Sequence, residues 1–364
     1  MRLDWLELSD VRTYPSLRFE PDDGINVLVG SNGVAKTNLL EAIGYLALAS
    51  SFRRAPDEAV VASGAEAGVF RGEVDHGDRR SLIEIEVPVE RRRRIQVNRS
   101  RLARTSDLAE HLRVVVFQPD DLDIAKRSPS YRREFLDGAA SLLWPGAAAD
   151  QSDYERAVRH RNALLKQMGR RADPTTLAVW NERVATSGAT VMRRRQAAAT
   201  ALVNRVGEAY AVLAGTAVDI SLDYRSTWGL SDLAGDPSDW GARLWAVLEE
   251  RAEHDMERRV TTIGPHRDDP TWLIDGRDAR LRASQGEQRT LVLSLRLAQQ
   301  RAVKATSGVV PVLLLDDVFS ELDIDRARAL AAAMPEGQAF ISTARDEEVP
   351  LEGRRWQVTA GSVS

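Results

Sequence analysis

The chain has 364 residues, of which 43% are hydrophobic and 29% are charged, with a net charge of −4 and no cysteine. The balance is that of an ordinary globular protein, and no apolar run reaches the roughly 18 residues of a membrane-spanning helix. Disulfides, thiolate metal sites and cysteine nucleophiles are excluded. We see no signal-peptide pattern, so we expect a cytoplasmic protein whose contacts with DNA, if any, come from local basic patches rather than from net charge.

The first third of the chain predicts strands around one helix. Residues 24–30 form an apolar run that enters a glycine-rich loop, and residues 38–49 then place apolar side chains at helical spacing. This order of strand, glycine-rich loop and helix is the one that a phosphate-binding loop requires. Further strands are predicted over residues 2–8, 16–19, 69–74, 81–89, 92–97 and 114–117.

The middle of the chain, from about residue 129 to residue 257, is mainly helical in pattern. Two helical stretches, 154–168 and 177–213, flank a polar break, which predicts a hairpin or bundle. Their heptads are too irregular for a long coiled coil. The remaining predicted elements are strands at 220–224, 272–274, 311–315 and 338–342, helices at 287–304 and 324–333, and a loop rich in Gly, Pro and Asp at 232–239.

The glycine-rich loop matches the pattern G-x-x-x-x-G-K-[ST], except that Ala35 replaces the second glycine. Backbone N–H groups of such a loop and the following helix N-terminus bind a triphosphate. Lys36 is expected to reach the outer phosphates and Thr37 to bind Mg²⁺. A chance glycine-rich turn is the alternative, and the strand and helix on either side disfavour it. The predicted ATP-binding residues are Gly30, Ser31, Asn32, Gly33, Val34, Ala35, Lys36, Thr37 and Asn38.

Ala35 departs from the motif in a way that has a physical cost. Glycine at this position permits a positive φ and a close approach of the backbone to phosphate, and a Cβ atom resists both. We therefore predict weaker ATP binding than a glycine version would have, so that Ala35→Gly raises the affinity for ATP.

The apolar run 311–315 is followed by Asp316 and Asp317, which is the Walker B pattern. The end of a buried strand places its carboxylate at the carboxyl edge of the sheet, next to the phosphate loop. We expect Asp316 to hold Mg²⁺ and Asp317 to orient and deprotonate the attacking water. Gln118, directly after the strand at 114–117, is the candidate Q-loop glutamine and a second catalytic residue.

The segment Ser284-Gln285-Gly286-Glu287-Gln288 directly precedes a long helix. Its serine and glycine at a helix N-terminus resemble the signature motif of ABC ATPases, which closes on the ATP of a partner subunit. The alternative is an N-cap serine with Glu287 as its capping-box partner, and both descriptions are compatible.

Two further features lie near the end of the chain. Ser320 and Asp323 follow the acidic pair and resemble a D-loop. The histidine expected after the last strand is absent from the stretch Phe340–Ala344, so a hydroxyl has to replace the imidazole. This substitution predicts modest ATP turnover.

Together these motifs resemble the RecF family of bacterial DNA repair proteins over essentially the whole chain. The most family-specific stretches are Arg132–Asp137 and Gly264–Asp269. The resemblance implies an α/β fold: an ABC-ATPase P-loop lobe of mixed β-sheet and helices, like the head of SMC proteins, with an inserted mainly helical lobe. Residues 1–125 and 258–364 would form lobe I, and residues 126–257 lobe II.

The resemblance also implies an activity and partners. The protein would bind ATP and Mg²⁺, dimerise on ATP, hydrolyse it slowly, and bind single-stranded DNA and junctions of single and double strands. It would support recombinase loading at gaps, with RecR-like and RecO-like mediators, and the SOS response.

Basic stretches are the candidate DNA contacts. Arg91, Arg92, Arg93 and Arg94 form the densest one, and at a sheet edge they could follow phosphates or could only discourage strand pairing. Arg53, after the first helix, could reach DNA or the nucleotide. The stretch 193–195 is more typical of a solvated helix face, and His266 is more typical of a structural or relay residue than of a metal ligand.

Two other classes of function remain open on the sequence. An ABC transporter ATPase would lack the large helical insert and would carry the switch histidine. A scaffold with a decayed nucleotide site would explain Ala35 and would bind no ATP at millimolar concentration.

Overall fold

The computed structural model describes residues 1–230, 233, 236–334 and 336–364. The loop predicted at 232–239 therefore lies partly outside the described residues. The strands are β1 (Arg2–Val11), β2 (Tyr14–Phe19), β3 (Ile25–Val29), β4 (Ala67–Asp75), β5 (Arg80–Pro88), β6 (Arg94–Val97), β7 (Ser100–Arg101), β8 (Val114–Phe117), β9 (Ile220–Arg225), β10 (Asp269–Ile274), β11 (Arg277–Asp278), β12 (Val312–Asp316), β13 (Ala339–Thr343), β14 (Arg354–Thr359) and β15 (Ser362–Val363).

The helices follow the same order along the chain. They are α1 (Lys36–Leu48), α2 (Asp57–Val60), α3 (Leu122–Lys126), α4 (Pro129–Leu143), α5 (Gly146–Met168), α6 (Pro174–Ala214), α7 (Trp240–Glu250), α8 (Ala252–Arg258), α9 (Ala279–Arg282), α10 (Gln285–Ser307) and α11 (Ile324–Ala333).

The chain divides into two compact units. The first comprises residues 1–121, 208–217 and 293–364, and the second comprises residues 122–207 and 218–292. The predicted lobes had placed residues 258–292 with the chain ends instead, and those lobe boundaries stay a prediction.

The first unit contains two sheets with α1 between them. One sheet is antiparallel, in the order β2-β1-β4-β5-β6-β7, and the other has the order β15-β14-β3-β13-β12-β8 with parallel pairing from β14 to β8. Helix α1 packs on β1, β4 and β5 of the antiparallel sheet and on β8, β12 and β13 of the other. Because both faces of α1 are covered, its apolar residues lie all around the helix. Tyr45 stacks on Phe70 with ring centroids 4.5 Å apart.

Parallel pairing aligns the carboxyl ends of four strands at one edge of the second sheet. Thr343 pairs with Val29, and Asp316 pairs with Ser342. Leu315 pairs with Phe117, so that Gln118 follows at the same edge. In the sheet, β13 lies between β3, which leads into the glycine-rich loop, and β12. This edge is where ligands bind in open α/β sheets.

The second unit contains helices and a three-stranded antiparallel sheet with the strand order β11-β10-β9. The predicted helical stretches 154–168 and 177–213 correspond to α5 and α6, and a 3₁₀ turn occupies the polar break between them. The two helices are linked by a hydrogen bond from Arg161 of α5 to Asn181 of α6 at 2.7 Å, and their arrangement as a hairpin or bundle stays a prediction. Among the described residues, no helix is both long and apolar enough to cross a membrane.

Candidate nucleotide-binding site

The loop between β3 and α1 folds around its own lysine. Lys36 is buried, and its Nζ donates to the carbonyl oxygens of Gly30 at 2.6 Å and Ser31 at 3.0 Å. Burial lowers the pKa of Lys36, and the nearby Asp317 and Asp316 carboxylates oppose that effect. The exposed residues Ser31, Asn32 and Gly33 form the outer rim of the loop. The arrangement presents a cation and backbone N–H groups at a helix N-terminus, which suits a polyphosphate.

Three positions of this loop favour glycine, and two of them have it: Gly30, and Gly33 with φ 85°. A Cβ atom on Gly30 would lie 2.6 Å from the carbonyl oxygen of Val358, so a side chain there is excluded. Ala35, the residue before α1, adopts φ 87° and ψ 11° in the left-handed region. This conformation costs an alanine about 1–2 kcal/mol. The Tyr14 hydroxyl donates to the Ala35 carbonyl oxygen at 3.1 Å and fixes that peptide group.

Hydroxyl groups of Thr37, at the start of α1, and of Ser342, in β13, hydrogen-bond to the first Walker B acid, Asp316. Thr37 Oγ1 donates to Asp316 Oδ1 at 2.9 Å, and Ser342 Oγ donates to the same oxygen at 2.7 Å. The backbone N–H of Asp317 donates to Ser342 Oγ at 2.9 Å. The structure thus brings together Lys36, Thr37, Asp316 and Asp317, as the sequence predicted for this edge.

The two neighbouring acids differ in environment. Burial raises the pKa of Asp316, and the hydrogen bonds from Ser342 and Thr37 and the charge of Arg53 act in the opposite direction. Asp317 has φ 52°, which aspartate tolerates. Its Oδ1 is buried and has no hydrogen-bond partner within the described structure. An oxygen of this kind is available to accept a proton or a hydrogen bond from a bound molecule.

Strand β13 ends in Ser342 and Thr343, at the place where an ABC ATPase is expected to have its switch histidine. Ser342 bonds Asp316, while Thr343 Oγ1 lies 2.8 Å from Glu348 Oε2. Gln118, at the end of β8, uses its backbone N–H to bond the Asp121 carboxylate at 3.1 Å. The sequence prediction did not identify the bridging position of Ser342, which becomes visible only through the pairing of β12 with β13.

The segment before α10 forms a reciprocal capping box. The backbone N–H of Ser284 donates to Glu287 Oε2 at 2.7 Å, and the N–H of Glu287 donates to Ser284 Oγ at 3.3 Å. Ser284 and Gln285 are exposed and Gly286 is half-buried, whereas Gln288 is buried and its amide donates to the Ala279 carbonyl at 2.9 Å. The capping description is therefore confirmed, and Gln288 is turned toward its own chain.

The predicted D-loop residues are exposed. Ser320 Oγ donates to the Asp317 carbonyl at 2.9 Å, which ties this segment to the Walker B acids. Asp323 is the N-cap of α11 and accepts a hydrogen bond from the N–H of Arg326 at 2.9 Å.

The arginine stretches do not form single continuous patches. Arg91, Arg92 and Arg94 are exposed around the β5–β6 turn, but Arg93 pairs with Asp57 at 3.0 Å. Arg53 is exposed and is close enough to affect the charge balance of Asp316.

The solvated-face interpretation of residues 193–195 is wrong for Arg195. Its guanidinium is buried and binds the Asp137 carboxylate at 2.7 and 2.8 Å, the Tyr224 hydroxyl and the Pro265 carbonyl. A helix face inside a bundle is covered by its neighbours, so charged residues there need partners.

The two family-specific stretches are joined to each other inside the second unit. Arg132 binds both oxygens of Asp269 at 2.8 and 3.0 Å, and Asp268 accepts from the Trp228 indole at 3.0 Å. His266 accepts or donates a bond with the Tyr154 hydroxyl at 2.7 Å, and burial lowers its pKa to about 4. These residues build the fold of the second unit rather than an exposed site.

Comparisons with known proteins agree with this architecture. The family model "RecF/RecN/SMC N terminal domain" matches residues 2–359. The chain is 40% identical to the "DNA replication and repair protein RecF" of Frankia alni and 38% identical to that of Acidothermus cellulolyticus, over 100% of this chain and 99% of each relative.

Solved structures give the same result. A structure described as "the recombination mediator protein RecF-ATPrS in RecFOR pathway" superposes with a TM-score of 0.92 at 29% identity, covering 100% of this chain and 97% of that one. A RecF-ATP structure of the same pathway has the same TM-score and identity, and covers 100% of this chain and 96% of that one. An Smc head bound to the C-winged helix domain of ScpA, at 16% identity, has a TM-score of 0.57 over 100% of this chain and 96% of that one, and shows the fold alone. With this agreement in sequence, family model and structure, the chain belongs to the RecF family of DNA replication and repair proteins and has the SMC-head-like ABC-ATPase fold.

Proposed function

We propose that the chain is an ATP-gated DNA-binding protein and slow ATPase of recombinational repair. The observation that carries the proposal is the hydrogen-bonded group formed by Thr37, Asp316 and Ser342, next to the buried Lys36. A phosphate-loop lysine, a hydroxyl and a carboxylate at one sheet edge are what a Mg²⁺-nucleotide needs. The two solved RecF relatives described with ATP and ATPrS support the same ligand here.

The residues present fit Mg²⁺ as a cofactor. Mg²⁺ prefers hard oxygen ligands and usually takes one or two carboxylates together with substrate phosphates. Thr37 Oγ1 and Asp316 Oδ1, 2.9 Å apart, offer such oxygens. Thr37 and Asp316 would hold the ion, whose charge would stabilise the phosphates. Asp317, with its unpartnered buried oxygen, would orient the attacking water, and Gln118 would approach it from β8.

We propose that the chain dimerises through the exposed N-terminal end of α10, which would bind the ATP held by a second copy. Ser284, Gln285 and Gly286 at the N-terminus of α10 are proposed to contact the ATP of a second copy. Ser320 and Asp323 are proposed separately as D-loop residues. Glu287 would act by holding Ser284, and Gln288 by fixing the helix start on α9. We keep the proposed lobes: residues 1–125 and 258–364 form the ATPase lobe, and residues 126–257 form the helical lobe.

DNA and mediator proteins are the proposed partners. Arg91, Arg92 and Arg94 are exposed and are proposed to contact DNA phosphates. Arg53 is also exposed and is proposed to contact either DNA or the nucleotide. The RecFOR pathway of the solved relatives supports RecR-like and RecO-like partners, recombinase loading at gapped DNA and a contribution to the SOS response. We propose a cytoplasmic location for this activity.

The test is analytical sedimentation with ATP, ADP or no nucleotide, each with and without gapped DNA. We expect a monomer without nucleotide and a dimer with ATP, with DNA bound by the ATP form. Lys36→Ala should remove ATP binding and the dimer together. Ser284→Arg should keep ATP binding and lose only the dimer. An oligomer that forms equally without ATP would contradict the gating.

Two other functions predict different results in the same experiment. A scaffold with a decayed site would bind no ATP even at millimolar concentration. A transporter subunit would bind ATP but would require a permease partner, and membership of a DNA repair family disfavours it.

A further inference from the structure

Ser342 occupies an unusual position between the two acids of the site. It lies in β13 directly opposite Asp316, and only 1% of it is exposed. Its hydroxyl donates to Asp316 Oδ1 at 2.7 Å, and its oxygen accepts the N–H of Asp317 at 2.9 Å. The hydroxyl group of one side chain thus contacts two consecutive acids, the carboxylate of Asp316 and the backbone N–H of Asp317.

We propose that Ser342 is a positioning residue that holds Asp316 and Asp317 in their two separate roles. The inference rests on the proposed ATPase function and adds to it a residue that touches neither the nucleotide nor the water. Ser342 fixes the side chain of the metal-holding acid and the backbone of the acid that orients water.

The backbone at Asp317 explains why such a residue is needed. Asp316 ends β12, and Asp317 turns into the left-handed region with φ 52°. The turn directs consecutive carboxylates differently, but it also takes the Asp317 N–H out of the strand ladder. A fully buried N–H without a partner costs about 1–3 kcal/mol, and the part-buried N–H of Asp317 would bear a share of that cost. The Ser342 oxygen satisfies it and so stabilises the turned conformation.

A hydroxyl group can perform both parts of this role through a single atom. It has one proton to donate and lone pairs to accept with, and Ser342 uses both at once. Threonine preserves the hydroxyl, whereas alanine leaves both Asp316 Oδ1 and the Asp317 N–H with one partner fewer. Outer-shell partners of metal-binding groups typically matter by about 10–100-fold in metal affinity or activity.

A purely structural role for a buried serine is the competing explanation, and Ser81 is a matched control. Ser81 is also 1% exposed, in the antiparallel sheet of the same unit. Its hydroxyl likewise has two partners, His76 Nε2 at 3.2 Å and His111 Nδ1 at 3.0 Å. Ser81→Ala therefore removes a comparable buried hydroxyl without touching the acids.

The experiment uses the full chain with Ser342→Ala, Ser342→Thr, Ser342→Cys and Ser81→Ala. Steady-state ATPase with gapped DNA, equilibrium binding of a fluorescent ATP analogue, Mg²⁺ titration and thermal unfolding are measured for each. We expect Ser342→Ala to lower kcat by about tenfold or more, to raise the Mg²⁺ requirement, and to change nucleotide affinity without Mg²⁺ by less than about threefold. Ser342→Thr should restore most of kcat, and Ser81→Ala should leave it unchanged.

Each other outcome overturns the inference. A kcat that survives Ser342→Ala, a threonine variant no better than alanine, or a Ser81→Ala loss of the same size would exclude a positioning role. If Ser342→Ala does not fold, Ser342→Cys, of similar shape and weaker hydrogen bonding, is judged by the same criteria. A wild-type chain that binds no ATP would overturn the proposed function as well, whereas an active wild type with an unaffected Ser342→Ala would overturn this inference alone.

Discussion

The Thr37 hydroxyl lies 2.9 Å from Asp316 Oδ1, although 279 positions separate the two residues in the chain. The contact arises because β3 and β12 run parallel with β13 between them, so the loop after β3 and the end of β12 meet at one edge. We predict that Thr37→Val lowers ATP affinity in Mg²⁺ by about tenfold, since the hydroxyl proposed to bind the metal is lost. Thr37→Ser keeps the hydroxyl and should bind nearly as the wild type does. Equal losses for both variants, in a fluorescent-ATP titration with Mg²⁺ and with EDTA, would contradict a metal role.

Ala35 adopts the left-handed conformation in the folded chain, so its strain is a cost of folding. Relieving it with glycine gains about 1–2 kcal/mol, less about 0.4–1 kcal/mol for the greater freedom of glycine in the unfolded chain. Ala35→Gly should therefore raise the free energy of unfolding by between about 0 and 1.6 kcal/mol in a denaturant titration. The rise in ATP affinity predicted from the sequence would come separately, from closer approach of the backbone to phosphate.

A control for this prediction is Ala49→Gly. Ala49 also has a positive φ of 46°, at the other end of α1. It should gain stability without any gain in ATP affinity. A drop in stability for Ala35→Gly would show that the Cβ atom of Ala35 contributes packing that outweighs the strain.

The sequence predicted the nucleotide loop, the Walker B strand and the two long helices because their patterns are local. An apolar strand, a glycine-rich loop and an amphipathic helix can be identified within about 20 residues of sequence. It did not predict β14, which pairs with β3 only through contacts more than 300 positions apart. The strand predicted from residue 92 begins at Arg94, because the preceding arginines belong to a turn.

The burial of several polar residues could not be predicted from the sequence. Arg132, Arg195 and Asp268 look like surface or catalytic residues in a sequence, because burial is set by tertiary packing and not by local pattern. The role of Ser342 has the same origin, since only strand pairing places it beside Asp316.

The Asp137–Arg195 pair should be a main determinant of stability in the second unit. Arg195 is 1% exposed and makes two bonds to Asp137. Removing one partner of a buried pair typically costs about 3–5 kcal/mol, and we expect a loss of that order for Asp137→Ala. The control is Asp150→Ala, since Asp150 pairs with the more exposed neighbour Arg194 and should cost about 1 kcal/mol or less. Similar losses for both variants in denaturant titrations would contradict the assignment.

His266 should make the protein less stable in mild acid. Burial holds its folded pKa at about 4, while the unfolded value is about 6.5. Between these values the unfolded chain binds a proton that the folded chain does not, so stability falls as pH drops below about 6.5. The loss from this residue is about 2 kcal/mol at pH 5.

The variant His266→Gln separates this effect from general acid denaturation. Glutamine keeps polar groups near Tyr154 and the Thr261 carbonyl but does not titrate between pH 5 and 7. Its unfolding free energy should depend less steeply on pH than that of the wild type. An unchanged slope would mean that the acid sensitivity comes from other groups.

The β5–β6 turn makes a specific prediction for DNA binding. Arg91 and Arg92 are exposed, whereas Arg93 is held by Asp57 at 3.0 Å. If the free arginines contact phosphates, the double variant Arg91→Ala/Arg92→Ala should weaken binding to single-stranded DNA. The slope of log K against log salt should fall by about 1.4, since each lost phosphate contact contributes about 0.7 for single strands.

The matched control removes two other exposed arginines, which lie elsewhere in the chain. Arg156 and Arg159 lie on α5 and pair with Asp153 and Glu155 along the helix. Arg156→Ala/Arg159→Ala changes the net charge by the same amount, so any general electrostatic effect appears in both variants. Because screening weakens distant charges beyond about 8–10 Å at physiological salt, only residues near the phosphates should alter the salt slope. Fluorescence anisotropy with labelled DNA at several salt concentrations distinguishes the two. An equal change of slope in both variants would indicate that the arginines of the turn act only through net charge.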